Sequence, residues 1–193
     1  MDKESLIRYV LQELPMSRDR VELLVSKFVP MEIAKNEFIL KAGMVCDRGH
    51  FVESGLLRSF IYDLEGNEVT TAFYSKDGHA ADLLSFFRRI RTKEYIQAIT
   101  DCETWCISYA DMQSSFHALP EFREFGRLNI VKQYGILKER MLSALQETAE
   151  QRYNDLIESS PEIFQHVPLK YIASYLGITD TSLSRIRKEF IKK

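Results

Sequence analysis

Residues 171–187 read "YIASYLGITDTSLSRIR". Two short amphipathic runs meet at Leu176-Gly177-Ile178. A tight helical hairpin needs a small residue where the second helix crosses the first, and a turn residue that tolerates positive φ. With Leu169 as the first position, Ala173 is fifth and Gly177 is ninth, as that geometry requires. Ile172, Leu176, Ile178, Leu183 and Ile186 supply the apolar residues that hold the second helix from below. Thr179 is placed to cap that helix. Its outward face then carries Asp180, Thr181, Ser182, Ser184, Arg185 and Lys188. Hydroxyls can reach phosphates or base edges, and arginine can grip guanine with two bonds. Lys170, on the first helix, completes the candidate DNA-contact set with Thr179. A purely structural hairpin shares the glycine and the apolar spacing, but has less reason for a short-polar and basic outer face.

The charge distribution agrees with that division. Leu169 to Lys193 holds six basic and two acidic residues, a net +4 in a chain of net −2. The preceding 168 residues therefore carry −6. A basic end on an acidic body is expected if only that end meets a polyanion.

Upstream, residues 2–14 and 17–28 read as two short helices, with Ser17 as the cap of the second. From Met31 to about Ser108, short apolar or alternating runs are separated by turn signals such as Lys41-Ala42-Gly43 and Glu53-Ser54-Gly55. Strands this short and closely spaced predict a small β-barrel or jelly roll. The segment "DLLSFFRRI" (82–90) interrupts them with helical texture. Pro120 then opens a long helix to about Gln146. Within it Ile130, Tyr134, Leu137, Met141 and Ala144 form a heptad seam, which suits either a second helix or the chain's own barrel. Residues 148–160 predict one more helix, stopped by Pro161.

The fold class is therefore α+β, in three parts. Residues 1–112 form a β-roll sensor domain with N-terminal helices, 113–146 a connector and dimerisation helix, and 147–193 the DNA-binding part. This order resembles the cyclic-AMP receptor and fumarate-nitrate regulator (Crp/Fnr) superfamily of bacterial transcription factors, over nearly the whole chain. Gly43 in "KAG" and Gly55 in "ESGLLR" look like that family's paired turn glycines, and "IASYLGITDTSLSRIRK" looks like its helix-turn-helix. The resemblance implies a winged-helix domain, here trimmed at its C-terminal side. It also implies a homodimer through Ile130, Tyr134, Leu137 and Met141, a near-palindromic double-stranded DNA site, a small-molecule effector, and RNA polymerase as a candidate partner.

The effector pocket departs from the family pattern. Cyclic-nucleotide binders carry Gly-Glu at a short helix, and Arg-Ser or Arg-Thr about ten residues later, for ribose and phosphate respectively. Here Ala81-Asp82 stands in place of Gly-Glu, and Arg91-Thr92 lies one residue early. On a strand, such a slip turns a side chain to the opposite face. The expectation is a degenerate pocket, or one for another ligand, rather than ordinary cyclic-AMP binding. The recognition helix departs too. The cyclic-AMP receptor pattern begins it with Arg and Glu, where this chain has Asp180 and Thr181; only Arg185 remains. An aspartate there repels phosphate and can accept from a cytosine amino group.

Other chemistries find little support. The first 45 residues contain no cysteine, which excludes a family-type N-terminal iron–sulfur cluster. Cys46, Cys102 and Cys106 include no C-x-x-C pair and read as buried thiols. His50 and His79 each follow a glycine and read as loop residues rather than haem ligands. Arg88, Arg89 and Arg91 read as a solvated basic loop. A cupin-type metal enzyme needs clustered histidines, yet no H-x-H occurs, and the nucleophile elbow, P-loop and G-x-G-x-x-G are also lacking. A non-DNA regulatory module built on the same barrel stays open. No apolar run approaches the roughly 18 residues of a membrane span, so a cytoplasmic, non-enzymatic regulator is the expectation.

Overall fold

The computed structural model describes residues 2–191; Lys192 and Lys193 of the basic tail lie outside the described residues. Helices α1 (Glu4–Glu13) and α2 (Arg18–Val25) open the chain. Ser17 is the residue before α2, but its hydroxyl makes no capping bond; its carbonyl accepts from Arg20 and Val21 instead.

Eight strands follow: β1 (Val29–Ile33), β2 (Phe38–Leu40), β3 (Arg48–Ser54), β4 (Leu57–Tyr62), β5 (Glu68–Tyr74), β6 (His79–Ala80), β7 (Tyr95–Ala98) and β8 (Cys102–Ser108). They form two antiparallel four-stranded sheets, β1-β8-β3-β6 and β2-β7-β4-β5, which close as a jelly roll. The short α3 (Leu83–Arg88) interrupts them. Gly55 turns the chain between β3 and β4 at φ +90°; a Cβ there would lie 2.3 Å from the Asp101 carbonyl, so only glycine fits.

The first sheet is covered on both faces. Val52 and Cys102 point into the roll, where Leu40, Leu57, Phe86 and Ile96 meet them. Phe51 and Trp105 point the other way and pack on α1 and α2. That double burial explains why three consecutive residues of β3, His50, Phe51 and Val52, are all buried.

Helix α4 (Tyr109–Ala118) leads to the 27-residue α5 (Pro120–Gln146). The expected boundary at 113 thus falls inside α4, and the long helix begins at Pro120, whose ring suits the first helical turn. Four helices complete the described residues: α6 (Ala149–Ser159), α7 (Pro161–His166), α8 (Leu169–Leu176) and α9 (Asp180–Ile191). Thr148 and Gln151 form a reciprocal capping box at the start of α6. Among the described residues no strand follows Ser108, so the helix-turn-helix of the expected winged domain is present without wing strands. No helix among the described residues is long and apolar enough to cross a membrane.

Candidate functional site

The C-terminal helices share one core with Leu56 and Ile99 of the roll. Ile172, Ala173, Leu176, Leu183 and Ile186 are buried together, with Tyr153, Leu156 and Ile163 beneath them. Gly177 ends α8 at φ +69°, the left-handed conformation the turn requires. The Ile178 amide donates to the Ala173 carbonyl at 3.0 Å, which satisfies the end of α8. The Thr179 hydroxyl accepts from the Ser182 amide at 3.2 Å and so caps α9. The buried residues of α9 lie on one stripe, and Asp180, Thr181, Ser184, Arg185 and Lys188 are exposed on the rest, with Ser182 half-buried. Lys170 is exposed as well, its ammonium 4.7 Å from the Tyr171 ring centroid.

The hairpin does not stand apart from the roll. Strand β5 is the outer strand of its sheet, with unpaired backbone groups along one side. Ser174 on α8 fills part of that edge: its hydroxyl accepts from the Thr70 amide at 2.7 Å and donates to the Glu68 carbonyl at 3.1 Å. Arg140 of α5 donates to the carbonyls of Thr70, Thr71 and Tyr175, and its guanidinium lies 4.1 Å from the Tyr175 ring centroid. Arg58 of β4 is fully buried between the Phe60 and Tyr171 rings, 4.1 and 3.4 Å from their centroids. Its Nη2 meets Glu68 at 2.5 Å, while Nε and Nη1 have no partner. Roll, long helix and hairpin therefore meet at one polar joint. The sequence reading missed this joint, although an arginine within the apolar run "GLLRSF" was a signal for it.

The interior of the roll separates the candidate pocket residues. Asp82 caps α3, accepting from the Ser85 amide at 3.1 Å, and its other oxygen accepts from the Thr92 hydroxyl at 2.6 Å. Thr92 is buried, whereas its neighbour Arg91 is exposed. Arg91 lies in the loop before β7, where it is exposed, and no hydrogen bond or ion pair joins it to Asp82 among the described residues. Ala81 is half-buried and packs on the roll core. Arg89 is exposed, as a solvated loop residue would be, yet it also donates to the Cys46 carbonyl at 2.9 Å and to Asp47 at 2.6 Å, over the Tyr109 ring. Arg88 is exposed.

A second carboxylate, unanticipated from sequence, occupies the interior. Glu94 accepts from the Ser59 hydroxyl at 2.8 Å, and Ser59 in turn accepts from Thr71 at 2.8 Å. Burial, and then the nearby Asp82 charge, push the Glu94 carboxyl above its ordinary range. Burial and the Glu94 charge also raise the Tyr74 phenol. Asp82 and Glu94 are thus each engaged by hydroxyls, and among the described residues neither carboxylate forms an ion pair with an arginine. His50 and His79 are strand residues of β3 and β6, not loop residues, and His50 is buried with Nδ1 3.1 Å from the Thr104 hydroxyl. All three cysteines are free and buried, and burial raises the thiols of Cys46 and Cys102. Among the described residues no cluster of acidic, histidine and cysteine side chains could hold a metal ion.

Comparison with known proteins agrees with this architecture. Residues 30–118 match the cyclic nucleotide-binding domain family. No curated protein matches the chain by sequence. Among solved structures, a Crp/Fnr-family transcriptional regulator from Eubacterium rectale superposes with a TM-score of 0.70 at 18% identity, covering 95% of this chain and 87% of the other. The c-di-GMP-responsive global regulator CLP of Xanthomonas campestris gives 0.71 at 14% identity, covering 91% and 92%. FixK2 of Bradyrhizobium japonicum gives 0.70 at 16% identity, covering 86% and 85%. The fold is that of the Crp/Fnr regulators. Within it, residues 30–118 form the cyclic nucleotide-binding-type domain.

Proposed function

We propose that this protein is a homodimeric, sequence-specific DNA-binding transcription regulator whose roll does not take cyclic AMP in the usual way. The observation that carries the reading is the exposed polar and basic face of α9, set on a hairpin whose turn and core leave that face free. Arg185 is its principal base or phosphate contact, and Thr181, Ser182, Ser184 and Lys188 flank it. Dimerisation follows from α5: Ile130, Tyr134, Leu137 and Met141 repeat at heptad spacing and are 45–64% exposed, so the chain's own roll does not cover them. A partner helix packed there would present two recognition helices to major grooves about 34 Å apart. Cyclic AMP is disfavoured because Asp82, at the position of the ribose contact, is already engaged by Ser85 and Thr92, and the exposed Arg91 does not balance the phosphate.

The test is a gel shift with the purified protein on genomic fragments at low salt, followed by competition on the bound fragment. Arg185→Ala should weaken specific binding about tenfold or more, matching roughly 1–3 kcal/mol for a bidentate base contact, with the dimer intact. Unchanged operator affinity would remove Arg185 from the interface. Failure to shift any fragment would favour a regulatory module that acts on another protein.

A further inference from the structure

A cavity of about 120 Å³ lies between the roll, α4 and α5; Tyr74 and Ala81 line it, whereas Asp82, Thr92 and Glu94 do not. Its walls include Phe28 and Phe51 from the roll side, Phe87 and Phe116, and Phe122 and Phe125 of α5. Packed interiors hold few voids larger than one water. The cavity is mostly apolar and partly open to solvent, and an apolar cavity of about 150 Å³ accepts benzene. The aromatic walls are arranged to meet a ring at its edges and faces: Phe116 and Phe122 stand edge to face at 5.2 Å, and Phe87 stacks beyond Phe116 at 6.4 Å. Gly126 makes this possible, because a Cβ there would lie 2.7 Å from the Phe116 ring.

One wall is polar. His79 lines the cavity, within 5.3–6.3 Å of the Tyr9, Phe51 and Phe125 rings, and no hydrogen bond to its own ring is formed among the described residues. Burial holds its pKa near 4, so at neutral pH the imidazole is uncharged and offers one acceptor and one donor. His50, also on the wall, is already engaged with Thr104.

We propose that this cavity is a binding site for an uncharged single-ring aromatic molecule bearing a hydroxyl, with the ring among the phenylalanines and the hydroxyl on His79. An anion finds no cation on these walls. Phe122, Phe125 and Gly126 belong to α5, so the bound ring touches the helix assigned above to dimerisation; that consequence rests on the dimer reading, whereas binding itself does not.

The experiment uses the full chain with phenol, benzene and benzoate, read by thermal shift and by titration calorimetry. Phenol and benzene should raise Tm by several degrees at saturation, phenol at lower concentration, and benzoate should leave it unchanged. Gly49→Leu fills the space, since a Cβ at Gly49 meets only the Met112 methyl at 3.9 Å; phenol affinity should fall at least tenfold. His79→Leu should bring phenol down to the affinity of benzene. No response of the wild type to either ring, equal binding of benzoate, undiminished binding in Gly49→Leu, or a phenol preference that survives His79→Leu would each overturn the proposal. Should Gly49→Leu not fold, the fluorine resonance of 4-fluorophenol supplies the check on wild-type protein: a shifted, broadened line that phenol and benzene reverse, but benzoate does not, supports the site. An unperturbed line overturns it.

Discussion

Arg58 and Glu68 should respond very differently to truncation. The Arg58 guanidinium is fully buried between Phe60 and Tyr171, with Glu68 at 2.5 Å and two nitrogens unpartnered. In Glu68→Ala the cation stays buried without its carboxylate. Breaking a buried pair in this way costs about 3–5 kcal/mol, and the 30% exposure of Glu68 puts the expectation near the lower end, about 3 kcal/mol. Arg58→Met removes the charge and its unpartnered donors together and keeps an apolar stem between the rings. Such replacements are neutral or stabilising by about 1–4 kcal/mol. The lost cation–π contacts, about 2 kcal/mol each when desolvated, offset that gain. Arg58→Met should therefore stay within about 1 kcal/mol of the wild type, and the double variant should resemble Arg58→Met alone. Urea unfolding at one fixed protein concentration measures all four proteins. If Arg58→Met costs as much as Glu68→Ala, the guanidinium is better satisfied than this geometry allows, and the argument is wrong.

Leu137→Glu places a charge in the exposed α5 stripe; it should convert a dimer into a monomer by light scattering, with little change in circular dichroism. A wild-type protein that is already monomeric would refute the seam. Burial holds the pKa of both His50 and His79 near 4, against an ordinary 6.5, so the unfolded chain binds more protons between those values. Stability is then fully present above about pH 6.5 and falls as pH drops toward 4, by about 2 kcal/mol per histidine at pH 5. His79→Phe should lose less stability than the wild type between pH 7 and 5 in urea titrations; identical pH slopes would contradict the burial argument.

Local pattern decided much of this protein, because the information lay within a few neighbouring residues. Ala173, Gly177, Thr179 and the apolar positions around them specify a hairpin through spacing alone, and the capping bond at Thr179 follows from that spacing. Pro120, the turn glycines and the short apolar runs likewise mark the long helix and the roll. Tertiary structure decided what depends on which faces meet across long stretches of chain. Only pairing within the roll shows that Thr92 turns in to Asp82 while Arg91 turns out, and that Glu94 joins Ser59 across 35 residues. Only docking shows that Ser174 completes the edge of β5 across 104 residues, or that Arg58 lies beneath Tyr171. His79 reads as a turn neighbour in sequence, yet the fold makes it the polar wall of an aromatic cavity. Periodicity states which side of an element is apolar. The partner that side meets is set by the closure of the roll and by the helices laid against it.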